Sequence, residues 1–181
     1  MLWAACCVGF FGFMRSGEFT CQSSSSHPAD VLSAADVAVD SHSDPSLVSI
    51  YLRHSKTDVF GVGAWVHMGR ADGPICPVKA LLGYLSVRGT SPGPLFRFAD
   101  GSPLSRTKLV DAVRSALQGR GVQVAGFNGH SFRIGAATAA AARGVPDSLI
   151  QTLGRWRSSA FLAYIRTPIS TMAAVSPRLV S

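Results

Sequence analysis

The chain opens on a run, Met1 to Met14, that is almost wholly apolar and carries no charge. Such a stretch cannot stay in contact with water, and it is shorter than the ~20 residues that cross a bilayer as a helix. It also lacks the basic flank of a secretory signal. The expectation is a helix buried on nearly every side, with the rest of the fold assembled around it. A chain that starts in mid-core further suggests that a preceding domain is absent.

At 181 residues, 47% of them hydrophobic, one core can form without disulfides or metal. Cys6, Cys7, Cys21 and Cys76 lack the paired spacing of a zinc site and do not suggest a disulfide framework, which fits a reducing, intracellular setting. The 17 Lys+Arg against 10 Asp+Glu leave a formal charge of +7, which favours a polyanionic partner.

After a polar break at Arg15 to Glu18, Cys21 to Pro28 reads as a serine-rich loop. Strand periodicity follows at Val37 and Val39, at Val48, Ile50 and Leu52, and at Ala64, Val66 and Met68. These predict a small antiparallel sheet whose last two strands meet in a hairpin, with Lys56 near its polar tip.

The remainder reads as helical. Pro77 opens a helix with Val78, Leu81, Leu82 and Leu85 on one face. Ser105 caps a second, lined by Leu109, Val110, Val113, Ala116 and Leu117 and stopped by Gly119. An alanine-rich helix over Phe132–Arg143, a short one over Asp147–Leu153 and a last from about Ser158 through Tyr164 complete the pattern. The whole chain, residues 1–181, is thus expected to be one α+β domain, mostly helical, with a small three-stranded antiparallel sheet.

Once apolar faces are assigned, Arg15, Glu18, Lys56, His130, Arg133, Trp156 and Tyr164 remain. Taken singly, each has an ordinary reading: Arg15 a solvated helix-end residue, Arg133 a surface cation, Lys56 a solubilising lysine, Tyr164 a packed ring. Together they supply what metal-free phosphodiester cleavage requires, namely a nucleophile, fixed positive charge for the phosphate oxygens and a proton donor for the leaving oxygen.

The sequence resembles the tyrosine recombinase, or phage integrase, family. The resemblance rests on Gly12-Phe13-Met14-Arg15-Ser16-Gly17-Glu18-Phe19, on Lys56 in a strand hairpin, on Gly129-His130-Ser131-Phe132-Arg133, and on Leu153-Gly154-Arg155-Trp156 followed by Tyr164-Ile165-Arg166. The wording of the first and last motifs looks most like recombinases of eukaryotic mobile elements of the Crypton and DIRS kinds. The resemblance implies that Arg15 and Arg133 grip the scissile phosphate of DNA, that Lys56 protonates the leaving 5′ oxygen, and that His130 binds the phosphate and helps to take the nucleophile's proton. It makes Tyr164 the nucleophile and Glu18 a supporting residue that orients the site. Trp156 falls where the family has histidine or tryptophan. Its interval to Tyr164 is about one residue shorter than the commonest spacing, so Arg155 stands as the second candidate for donor to phosphate.

The implied reaction forms a 3′-phosphotyrosyl link and needs neither metal nor nucleotide cofactor. The implied partner is double-stranded DNA, with four protomers on paired sites, residues Ile169 to Ser181 docking on a neighbour, and no membrane. In a eukaryotic host it would act in the nucleus. The usual N-terminal core-DNA-binding domain is expected to be missing, which keeps open a catalytically silent DNA-binding relic. A type IB topoisomerase-like domain and an unrelated interaction domain also remain open as readings of these residues.

Overall fold

The computed structural model describes residues 1–21, 31–53, 61–173 and 175. Lys56 and the hairpin tip, most of the serine-rich loop and most of the segment after Ala173 lie outside the described residues.

The apolar opening run forms α1 (Leu2–Phe11). Ala5 and Val8 are fully buried in it, while Leu2 and Trp3 reach solvent at its start. No helix among the described residues is long and apolar enough to cross a membrane. The polar break is itself a single helical turn, α2 (Ser16–Phe19), whose Glu18 carboxylate reaches back to accept from the Arg15 backbone N–H.

Strands β1 (Val37–Val39), β2 (Leu47–Leu52) and β3 (Ala64–Gly69) make one antiparallel sheet in the order β1-β2-β3. Its register pairs Val48 with Met68 and Ile50 with both Val37 and Val66. Burial alternates along β2 as a half-solvated sheet requires: Val48, Ile50 and Leu52 face the core, with Val66 and Met68 beside them on β3.

Helices α3 (Pro77–Arg88), α4 (Arg106–Gln118), α5 (Ser131–Ala142) and α6 (Asp147–Leu153) follow, with Pro77 and Ser105 in the places their residue types favour. The stretch ending at Tyr164 is helical, as expected, but with the tighter winding of a 3-10 helix. It spans Ser159–Tyr164 and is capped by Ser158, whose hydroxyl accepts from the Ala160 N–H at 3.3 Å. A short α7 (Ile169–Ala173) follows.

Helix α1 packs on α3 on one side and on α5 on the other. It therefore joins two apolar clusters. The larger gathers Val8, Met14, Val48, Ile50, Leu81, Leu95, Leu104 and Leu109. The smaller gathers Phe13, Ala136, Ala137, Ile150 and Phe161, with Trp156 and Tyr164 packed against it.

Candidate active site

Three stretches far apart in sequence meet at the second cluster: the α1–α2 turn, the start of α5, and the segment from Gly154 to Tyr164. The turn after α1 places Phe13 in the left-handed region at φ 50°, a conformation that costs a non-glycine residue about 1–3 kcal/mol. This turn presents the Phe13 carbonyl to Arg133, whose Nη1 donates to it at 3.2 Å.

Arg133 is no surface cation; only 2% of it is exposed. Its guanidinium lies 4.0 Å from the centre of the Trp156 ring and 5.8 Å from that of Tyr164. Burial first, and then the charge of Arg15, push its pKa down to about 10, which leaves it protonated at neutral pH.

Trp156 and Tyr164 contact each other with ring centres 5.2 Å apart. The indole folds back over Gly154 so closely that a Cβ there would fall inside the ring, so glycine is required. Arg155, between them, is left-handed at φ 57°. Its side chain turns inward, donating to the Gly12 carbonyl at 3.1 Å and pairing with Glu18 at 3.2 Å. Glu18 also accepts from the Arg15 backbone N–H at 2.8 Å and from Arg15 Nη1 at 3.3 Å. One carboxylate thus ties the two arginines together, while the Arg15 side chain stays partly open to solvent. Tyr164 is anchored through its carbonyl, which accepts from the Thr138 hydroxyl of α5 at 3.2 Å.

His130 caps α5 from an exposed position. Its backbone N–H donates to the Asn128 side chain at 2.8 Å. Partial burial, and then Arg15, Arg106 and Arg133, hold its imidazole below the ordinary value of 6.5. The site is therefore strongly electropositive.

Among the described residues, the buried side-chain polar atoms without a hydrogen-bond partner are Ser16 Oγ, Arg133 Nε, Arg155 Nε and Trp156 Nε1. All four belong to this site or to the α2 turn beside it. Native interiors leave few such groups unpaired, because each costs about 1–3 kcal/mol. Their concentration in one place marks a surface shaped for something other than its own stability.

Of the residues singled out from sequence, the fold brings Arg15, Glu18, His130, Arg133, Arg155, Trp156 and Tyr164 together. Lys56 is outside the described residues. Sequence reasoning passed over Arg106, although a cation in the first turn of a helix opposes the helix dipole and is a visible anomaly.

No family model matches the chain. An integrase/recombinase XerD homolog from Selenomonas ruminantium is 33% identical over 121 residues, 63% of this chain and 36% of that protein. XerH site-specific recombinase, solved on palindromic difH substrate in a post-cleavage complex, superposes with a TM-score of 0.70 at 17% identity, covering 98% of this chain and 45% of that one. XerA recombinase gives 0.69 at 21% identity, covering 97% and 55%.

The chain has the recombinase fold. These likenesses are to recombinases, and the chain spans from about a third to just over half of the length of the proteins it matches. The small sheet and helical remainder are the parts that the recombinase fold shares with it.

Proposed function

We propose that this chain is a DNA breaking and rejoining enzyme in which Tyr164 is the nucleophile. The observation that carries the reading is the grouping of unpartnered buried donors, Arg133 Nε, Arg155 Nε and Trp156 Nε1, around an electropositive cluster that adjoins a tyrosine. A phosphate diester is the ligand class such a cluster suits, since guanidinium offers permanent charge and forked donors.

In the proposed step, Tyr164 Oη attacks the phosphorus while the bond to the 5′ oxygen breaks. The products are a 3′-phosphotyrosyl link and a free 5′ hydroxyl. The phenol, with an ordinary pKa near ~10, passes its proton to His130 as it attacks. Lys56 gives a proton to the departing 5′ oxygen. Arg15 and Arg133 hold the non-bridging oxygens, Trp156 shapes the pocket and donates its indole N–H, and Glu18 fixes Arg15 and Arg155. Attack on the link by a 5′ hydroxyl of a partner strand reverses each transfer, so positioning supplies most of the catalysis.

Residues 1–181 serve in this reading as one catalytic domain. Its partners are double-stranded DNA and three further copies on paired sites. The motif wording favours a mobile-element recombinase of the Crypton or DIRS kind, which would act in the nucleus of its host.

The test incubates the protein with nicked, labelled duplex DNA carrying its target site and looks for a protein-DNA adduct that survives denaturation. The expected result is an adduct from the parent chain and none from Tyr164→Phe, with binding retained. An undiminished adduct in Tyr164→Phe overturns the assignment.

A further inference from the structure

Arg106 is the first residue of α4, a helix of 13 residues whose first turn holds no acid. Its backbone N–H is fixed to the Cys21 carbonyl at 3.0 Å, but its exposed side chain makes no hydrogen bond or ion pair among the described residues. Shape alone positions it. The guanidinium lies so close over Gly129 that a Cβ there would come within 2.8 Å of Nε and 3.2 Å of Cζ. The same Cβ would meet Ser16 Oγ, the buried hydroxyl without a partner, at 2.5 Å. Gly129 is held against α2 by its carbonyl, which accepts from Ser16 N–H at 2.9 Å.

Gly129 thus acts as a gap through which α2, the start of α4 and His130 converge. Arg106 and Arg15 both act on the His130 imidazole. The charges that act on Arg133 are instead Arg15, Glu18, Arg155 and Tyr164. An unpaired guanidinium at the positive end of a helix is electrostatically unfavourable by itself and becomes favourable once an anion sits before it. Its neighbour Lys108 is already engaged, 4.7 Å from the centre of the Phe98 ring.

We propose that Arg106 is a further DNA contact of this site, binding a backbone phosphate other than the one Tyr164 attacks. The proposal rests on the DNA-cleaving reading above. It adds a second phosphate to the footprint and makes Gly129 the residue that admits the contact.

The experiment measures binding of a mixed-sequence duplex oligonucleotide by fluorescence anisotropy across a salt series. It compares the parent chain with Arg106→Ala, Arg15→Ala and the double variant. Arg106→Ala is expected to weaken binding about tenfold and to lower the salt slope by about 0.9, the value for one phosphate contact. The double variant should lose both increments, because two phosphates are involved. Arg106→Lys should keep the slope, and both single Arg106 variants should melt with the parent, since that side chain has no partner to lose.

A parent-like slope in Arg106→Ala overturns the proposal, as does a double variant no weaker than Arg15→Ala, which would mean one shared phosphate. A parent chain that binds no duplex overturns the functional reading as well, so the two failures are distinguishable.

Discussion

Among the described residues two arginines are buried, and the fold treats them in opposite ways. Arg88, 8% exposed at the end of α3, donates to the carbonyls of Gly89, Ser91, Gly93, Pro94 and Leu95 and so pins the loop that follows it. Arg133, 2% exposed, donates only to the Phe13 carbonyl and otherwise lies on aromatic faces with Nε unpartnered. The first guanidinium commits its donors to the fold. The second keeps most of them in reserve, although this desolvates a charge that no carboxylate of the described residues pairs with directly.

The widest separation between the two comes from removing each in turn. Arg133→Met should cut adduct formation about a thousandfold while leaving the urea midpoint unchanged or raised, because an apolar side chain replaces an ill-satisfied buried charge. A large loss of stability would show that Arg133 is structural after all. Arg88→Met should do the reverse, lowering unfolding free energy by about 3 kcal/mol by leaving several carbonyls unpaired, with the adduct yield per folded molecule retained.

Glu18→Gln sharpens the contrast further, since both Arg15 and Arg155 pair with this one carboxylate. About 2 kcal/mol of stability should be lost in a denaturant titration, along with a smaller fall in adduct rate as Arg15 loses its orientation. Retained stability would mean that Arg15 and Arg155 are held by their other contacts.

The smallest effect concerns His130. Burial and three arginines hold its folded pKa below the ordinary 6.5. The unfolded chain therefore binds more protons in that window, and stability that is full above about pH 6.5 should decline as pH falls toward the folded value. A DNA phosphate acts in the opposite sense and favours the imidazolium. Binding should take up a proton and strengthen a few-fold as pH drops below about 6.5, and His130→Gln should flatten this dependence in anisotropy titrations.

Much of the fold was legible in the residues because it rests on local periodicity. The alternation at Val48, Ile50 and Leu52, the Pro77 start and the Ser105 cap each place an element with no knowledge of its neighbours. The stretch ending at Tyr164 reads in sequence simply as helical, and the structure adds that it is a 3-10 turn packed against α5 and Trp156. Trp156 and Arg155, rival donors in sequence, take different places: the indole packs against both Arg133 and Tyr164, and the arginine turns inward to Glu18. Adjacent residues point apart here because Arg155 adopts a left-handed backbone, which no pattern of residue types announces.

By itself the sequence determined which residues are available: an uncharged segment that had to be buried, a positive excess, and arginines, a histidine and a tyrosine in a telling order. Only the tertiary structure decided which of them are buried together and which donors stay unpaired, because contacts such as Arg133 to Phe13 and Arg155 to Gly12 join positions more than a hundred residues apart. Arg106 shows the same division. Its presence at a helix start was visible, but its closeness to Gly129 and His130 depends on how α2, α4 and the turn before α5 pack, and that packing is set by the shared core.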